Sequence, residues 1–180
     1  MQKTKTLFLI NIIFAVLLFI SDTLYIIKDF PEYFIKTLTS TLFLILGTIN
    51  FFSLLKNFKS KNLKFYGLFN LIALTFCFLG DILLIDYFII GAILFAIGHI
   101  FFIVSFSFIQ KLNSKDIFIG LIIFAISLCV IIFVPVFDFK GMLPVIIVYA
   151  LIISLMVGKS FSNLMLNIKY SNVYIFLIFF

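Results

Sequence analysis

The stretch from Tyr66 to Phe108 is almost continuously apolar, yet it contains an aspartate, Asp81, and the only histidine of the chain, His99. A stretch of this length crosses a bilayer twice, because about 20 helical residues span the hydrocarbon core. A charged side chain inside such a helix costs about 2.5 to 3.5 kcal/mol on insertion scales. The two polar residues therefore need a structural or functional reason to lie there.

The rest of the chain belongs to the same class. Of its 180 residues, 65% are hydrophobic and 11% are charged, which leaves too little polar surface to cover a soluble globule. The apolar runs lack the alternating pattern of outer-membrane barrel strands. We predict an all-α, polytopic transmembrane helical bundle, a single domain over residues 1–180, with spans at 7–27, 34–55, 65–85, 88–109, 117–134 and 142–158 and a partial seventh at 172–180.

Lysine placement predicts the orientation of the bundle, since the chain has no arginine. With the N-terminus in the cytoplasm, ten lysines, Lys159 among them, fall on the cytoplasmic side and only Lys28, Lys36 and Lys140 fall outside. We therefore expect an integral protein of the cell (inner) membrane with a cytoplasmic N-terminus. The net charge of +6 is then a topology signal, and we expect no nucleic-acid partner.

Each of the first four predicted helices carries a stripe of polar or small residues, which we expect to face the bundle interior. The residues are Asn11, Ala15, Leu18 and Asp22 on the first helix, Lys36, Ser40, Gly47 and Asn50 on the second, Asn70, Ala73, Cys77 and Asp81 on the third, and Gly91, Phe95, Gly98 and His99 on the fourth. In the predicted orientation the ionisable residues of the spans lie in the outer half or at the midplane. This indicates a polar cavity that opens toward the outer leaflet.

Four of these polar residues are candidates for function, and each also has a structural explanation. Asp81 follows Gly80, which permits close approach of another group, but a carboxylate here also suits a bond to a lysine or tyrosine. His99 suits an interhelical hydrogen bond equally well. Lys36 suits snorkelling to the headgroups, and Tyr149 suits packing at the membrane interface.

Metal and cofactor chemistry have little support in the sequence. Cys77 and Cys129 both fall inside predicted spans and form no Cys-x-x-Cys pair, so we interpret them as small apolar residues. With one histidine there is no zinc site to propose, and we expect no cofactor. The abundance of Phe, Ile, Lys and Asn is typical of an AT-rich, bacterial coding sequence. The chemistry of these residues is consistent with both an enzyme and a transporter.

Three segments resemble the YhhN family of membrane proteins, which includes the lysoplasmalogenases. They are Gly80-Asp81-Ile82-Leu83-Leu84 followed by Phe88, Gly91, Phe95 and His99 at the family spacing, Pro144-Val145 with Tyr149 and Met156, and Lys36-Thr37-Leu38-Thr39, in which Thr37 replaces the usual proline. The resemblance covers residues 34–161 and is most specific between Gly80 and His99.

The resemblance implies an eight-helix bundle that hydrolyses the vinyl ether bond of lysoplasmalogens to a fatty aldehyde and glycerophospho-ethanolamine or -choline. Such a reaction needs a proton donor and a negative group beside the oxocarbenium ion. Asp81 would be the proton donor or the stabilising carboxylate. His99 or Tyr149 would orient water or hold the headgroup, and Lys36 would pair with the phosphate. The expected partners are the lysophospholipid substrate and membrane lipids.

One departure from the family leaves alternatives open. A second acidic motif, a serine followed by an aspartate, is expected near the last two helices, and no such pair follows Tyr149 in the 180 residues. We therefore expect a domain that is C-terminally incomplete relative to the family, either a fragment or an inactive truncated member. A small multi-pass transporter or proton-coupled carrier and a purely structural membrane protein are the other candidates. Headgroup preference and oligomeric state stay open.

Overall fold

The computed structural model describes residues 2–27, 32–57, 59–133 and 141–169, and within them the only regular elements are six α-helices. Each helix contains a segment long and apolar enough to cross a bilayer. This confirms the all-α class and the six spans, whereas the partial span at 172–180 lies outside the described residues. The helices are α1 (Gln2–Ile27), α2 (Glu32–Asn57), α3 (Lys61–Leu84), α4 (Phe88–Ser107), α5 (Ser114–Phe133) and α6 (Leu143–Lys169).

The six helices pack in a row that differs from their order along the chain. Within the described residues α1 packs on α2, α2 on α3, α3 on α4, α4 on α6 and α6 on α5. Helix α5 therefore packs only on α6, and α4 contacts α6 directly. The four central helices α2, α3, α4 and α6 carry every residue for which the sequence predicts a function.

The most extensive helix contact joins α3 and α4, which are connected by residues 85–87 alone. Two glycines of α4 permit this contact, because there is no room for a side chain at either position. A Cβ built on Gly91 would lie 2.6 Å from the Leu84 Cα, and one built on Gly98 would lie 2.8 Å from the Cys77 Sγ. Small residues at a helix interface let the two backbones approach closely, as is common in membrane bundles.

Helix α6 extends well beyond the predicted end of its span at residue 158. It continues to Lys169, although several polar residues follow the apolar run. Two of these residues find partners on neighbouring helices: Lys159 forms an ion pair with Asp116 of α5, and the Asn163 Nδ2 donates to the Phe106 carbonyl oxygen of α4 at 3.0 Å. Because the Lys159 ammonium and the Asn163 Nδ2 have partners inside the bundle, the helix does not need to end where the hydropathy falls.

A buried apolar cluster lies at the end of the bundle where α2 ends, α3 begins and α4 ends. Its centre consists of Leu54, Tyr66 and Phe106, which are at most 7% exposed. The Ser105 Oγ donates to the Tyr66 carbonyl oxygen at 2.8 Å. This cluster fixes the register of α2, α3 and α4 at the end remote from Asp81.

Candidate functional site

Asp81 of α3 binds two side chains of α2. The Lys36 Nζ lies 3.8 Å from the Asp81 Oδ1, and the Ser40 hydroxyl donates a hydrogen bond to Oδ2. Lys36 and Ser40 are four residues apart, so one face of α2 presents both groups to the carboxylate. The Lys36 and Asp81 side chains are 23% and 19% exposed, so the pair remains partly open. Ser40 was not predicted as a site residue, although its place on the Lys36 stripe was a signal for it.

His99 is buried in α4 and has a defined tautomer. Its Nδ1 lies 2.6 Å from the carbonyl oxygen of Phe95. A carbonyl oxygen only accepts hydrogen bonds, so Nδ1 carries the proton and, in the neutral ring, Nε2 is left as an acceptor. The edge-to-face contact with the Tyr149 ring, at 5.5 Å between centroids and 87° between planes, orients the imidazole.

Phe95 lies between Asp81 and the two rings of His99 and Tyr149. Its ring centroid is 6.2 Å from that of His99 and 6.3 Å from that of Tyr149. On its other side it packs on Gly80, where a Cβ would lie 2.8 Å from the Phe95 Cδ2. The structure thus brings all four predicted site residues into one region, and no hydrogen bond joins Asp81 to His99 among the described side chains.

An apolar groove with a cavity volume of about 300 Å³ adjoins this region between α4 and α6. Ala92 and Ala96 of α4 form one wall, and Val145 and Val148 of α6 form the other. Tyr149 belongs both to the groove and to the cluster around His99. Through Tyr149, one end of the groove therefore lies next to the His99 ring. The full lining is Ala92, Ile93, Ala96, Pro144, Val145, Val148 and Tyr149.

The predicted stripe on the first helix is only partly correct. The Asn50 Nδ2 of α2 donates to the Asn11 Oδ1 of α1 at 3.0 Å, which confirms the inward position of Asn11. Ala15 and Asp22 are exposed, so their predicted inward position is wrong. Among the described helices α1 packs on α2 alone, so its buried face is narrower than the predicted stripe. This face continues through Ser21, whose hydroxyl shares a hydrogen bond with the Thr39 hydroxyl.

A second ion pair, which the sequence analysis missed, joins α5 and α6. The Lys159 Nζ lies 2.8 Å from the Asp116 Oδ2, and the two side chains are 0% and 1% exposed. Lys159 also donates to the Lys111 carbonyl oxygen at 3.2 Å. Lys159 thus lies at the same end of the bundle as Lys111, with which the prediction grouped it, but its side chain is buried in the bundle and does not flank the membrane surface. Glycines were the available signal, because Gly158 precedes Lys159 and Gly120 lies one turn after Asp116.

Groups that bind metals are sparse in the part of the chain that the structure describes. Cys77 and Cys129 are free thiols, and Cys129 is exposed on the outside of α5. No group of three His, Cys, Asp or Glu side chains lies close enough together to hold a metal ion among the described residues.

Six apolar helices with a polar cluster between the central four define a polytopic helical membrane protein. The model of the YhhN family matches residues 31–178 of the 180-residue chain, so the protein belongs to the YhhN family. This match includes Lys36, Asp81, His99 and Tyr149. No protein of curated function and no solved structure matches the chain.

Proposed function

We propose that this protein hydrolyses the vinyl ether bond of lysoplasmalogens, releasing a fatty aldehyde and a glycerophospho-ethanolamine or -choline. The observation that carries the proposal is a partly exposed carboxyl group, Asp81, that pairs with a cation in the same region as an apolar groove. Lys36 provides the cation, and the groove between α4 and α6 runs to Tyr149. A lysophospholipid has the same three parts in the same order: a phosphate, an ether linkage and a hydrocarbon chain.

In the proposed reaction Asp81 supplies the proton that starts the hydrolysis. When the Lys36 ammonium pairs with the substrate phosphate, Asp81 takes up a proton from water. The resulting carboxylic acid protonates the β carbon of the alkenyl chain, and the π electrons form the new C–H bond, leaving an oxocarbenium ion. Asp81 is then a carboxylate beside a cation and stabilises it, as carboxylates do in glycoside hydrolysis. One residue thus fulfils both roles that the sequence left open for it. The Ser40 hydrogen bond fixes its orientation.

His99 completes the reaction by moving the protons of water. Its Nε2 accepts a proton as water adds to the oxocarbenium carbon, which forms a hemiacetal. The hemiacetal then breaks its bond to the glycerol oxygen. That oxygen takes the proton from His99, and the hemiacetal hydroxyl returns a proton to Asp81, so both residues are restored. Tyr149 and Phe95 hold the imidazole in place through ring contacts.

Lys36 and the groove position the substrate in this proposal. The Lys36 ammonium lies at the open side of the site and pairs with the phosphate. The alkenyl chain occupies the groove, whose lining is almost entirely apolar. We further propose that the protein lies in the cell membrane of a bacterium with its N-terminus in the cytoplasm, as the lysine distribution predicts, so that the site faces the outer leaflet.

The test is aldehyde release from a lysoplasmalogen by the full chain, produced from its complete reading frame and reconstituted in vesicles. We expect Asp81→Asn to lower kcat/KM at least about 100-fold, since a positioned general acid contributes that much or more. Asp86→Asn is the matched control, because Asp86 is an exposed carboxylate in the turn only five residues away. Normal turnover by Asp81→Asn would exclude Asp81 as the acid.

A proton-coupled carrier is the second candidate, and the two ion pairs favour it. Lys36–Asp81 and Lys159–Asp116 lie toward opposite ends of the bundle, an arrangement also expected for proton-exchanging groups on the two sides of a carrier. Proton-dependent uptake of a solute into vesicles, together with no aldehyde release, would establish the carrier and exclude the hydrolase.

A further inference from the structure

A second and larger cavity, of about 580 Å³, lies where the α4–α5 connection meets α6. It is distant from Asp81, because Asp81 precedes the start of α4 and the cavity lies beyond its end, about 30 Å along a 20-residue helix. Nothing in the proposed hydrolysis uses it. Its lining residues are Gln110, Asn113, Ser114, Lys115, Ile119, Ser162 and Met165.

The lining contains one unpaired cation. Lys115 is exposed and forms no ion pair within the described residues. The neighbouring charges, Asp116 and Lys159, neutralise each other in the buried pair, so the charge of the cavity is that of Lys115. The hydroxyls of Ser114 and Ser162 add neutral donors. This set suits a singly charged phosphodiester group.

Gln110 lines the cavity and carries an acceptor that has no partner among the described residues. The Gln110 Oε1 is buried and receives no hydrogen bond from the described residues. A buried acceptor without a partner is costly, and a ligand or water with an N–H or O–H group would satisfy it. The cavity is therefore complementary to a molecule that combines a phosphodiester with a hydrogen-bond donor.

The position of the cavity indicates where such a molecule would come from. The apolar part of α4 ends at Ser107 and that of α5 begins at Ser114, so the cavity lies at the level where the apolar spans end. The phosphates of a bilayer lie at this level, next to the end of the hydrocarbon core. Ile119, which lines the cavity, lies inside the α5 span and provides an apolar wall for the start of an acyl chain.

We propose that this cavity binds the headgroup of an ethanolamine phospholipid, whose phosphate pairs with Lys115 and whose ammonium donates to the Gln110 Oε1 once that side chain turns toward the cavity. The lipid would be a bound component at this end of the bundle, separate from the substrate in the groove between α4 and α6. Free phosphate and glycerophosphoethanolamine share part of this chemistry, and the experiment distinguishes them from the intact lipid.

Native mass spectrometry of the purified full chain in detergent tests the proposal with three lipids that carry identical acyl chains. Phosphatidylethanolamine should bind most tightly, phosphatidylcholine should bind less because its trimethylammonium cannot donate a hydrogen bond, and diacylglycerol should bind least because it has no phosphate. Equal binding of all three lipids would overturn the proposal. No vinyl ether is present, so the result is independent of the proposed hydrolysis.

Two variants assign the two contacts. Lys115→Gln should lower the affinity for phosphatidylethanolamine about fivefold, as expected for one lysine at a phosphate surface, whereas Lys56→Gln, at an exposed lysine in the last turn of α2, should not. Gln110→Leu should remove the preference for phosphatidylethanolamine over phosphatidylcholine. Equal losses from both lysine variants would overturn the site.

Two soluble competitors identify the source of the ligand. We expect neither inorganic phosphate nor glycerophosphoethanolamine to displace the lipid at millimolar concentration, because both lack the acyl chain that contacts Ile119. Displacement by either compound with an affinity equal to that of the lipid would overturn the assignment to a membrane lipid.

Discussion

The two interhelical ion pairs combine the same residue types in opposite environments. Lys36 and Asp81 are 3.8 Å apart and 23% and 19% exposed, whereas Lys159 and Asp116 are 2.8 Å apart and 0% and 1% exposed. A partly solvated pair adds about 0 to 1 kcal/mol, but a buried pair that loses one partner leaves a desolvated charge. The buried pair therefore joins α5 to α6, and the open pair is free to exchange its partner for a substrate.

The largest expected difference follows from removing the lysine of each pair. Lys159→Met should lower the free energy of unfolding by about 3 to 5 kcal/mol, because it leaves the Asp116 carboxylate buried without its cation. Lys36→Met should lower it by less than about 1 kcal/mol. Thermal unfolding of both variants in the same detergent, followed by circular dichroism, measures the difference.

A double variant checks the cause. Lys159→Met combined with Asp116→Leu should recover most of the stability, since an apolar pair of similar volume replaces a buried ion pair at little cost. Equal stability of the two single-lysine variants would show that burial does not separate the pairs.

The close contact of α5 and α6 beside the buried pair should be the next most sensitive feature. A Cβ built on Gly158 would lie 2.5 Å from the backbone nitrogen of Gly120, so Gly158→Ala should cost about 1 to 3 kcal/mol of unfolding free energy. Gly47→Ala is the control, because its Cβ would meet only the mobile end of the Leu74 side chain, the Cδ1, at 2.2 Å. A smaller shift in melting temperature for Gly158→Ala than for Gly47→Ala contradicts this packing.

The groove between α4 and α6 adjoins the region of Lys36 and Asp81. If the groove holds the alkenyl chain, filling it should affect long substrates more than short ones. Ala96→Phe fills the groove and should raise KM for long alkenyl chains about tenfold, roughly 1.4 kcal/mol, while leaving short chains almost unaffected. Ile100→Phe, one turn further along α4 and outside the groove lining, is the matched control. Chain-length profiles of aldehyde release measure the effect, and an unchanged profile for Ala96→Phe would remove the groove from the substrate site.

The smallest effect is expected at Ser40, which orients the open pair. Ser40→Ala removes one hydrogen bond to Asp81 and should lower kcat about fivefold, equivalent to about 1 kcal/mol, with little change in KM. Ser53→Ala, further along the same helix and distant from Asp81, should leave kcat unchanged. Equal kcat values for the two variants would show that Ser40 does not position the carboxylate.

Much of the candidate site could be predicted from the sequence, because its residues stand out against an apolar background. Asp81 and His99 interrupt the stretch between Tyr66 and Phe108, and the family match covers both residues. The stripe on α2 placed Ser40 beside Lys36, but the sequence could not show that Ser40 binds Asp81, since serine in a membrane helix also bonds to its own backbone. Its bond to Asp81 depends on how α2 is rotated against α3.

Lys159 shows a different limit of prediction from the sequence. Hydropathy places a lysine that follows an apolar run at the membrane surface. This rule holds when the bundle contains no carboxylate that can pair with the lysine. Asp116 lies 43 residues earlier on α5, which packs on α6 alone among the described helices. The adjacent glycines indicate close packing, but they do not show that these two residues pair.

The sequence by itself determined the class of the protein, the six apolar helices and the residues around which the site is built. These follow from the cost of exposing polar groups to lipid, which acts on each segment separately. Tertiary structure alone decided that α4 packs on α6, that Asp81 is held by Ser40, and that one ion pair is closed while the other is open. The physical reason is that burial and pairing depend on distances between helices, and those distances result from the packing of all six.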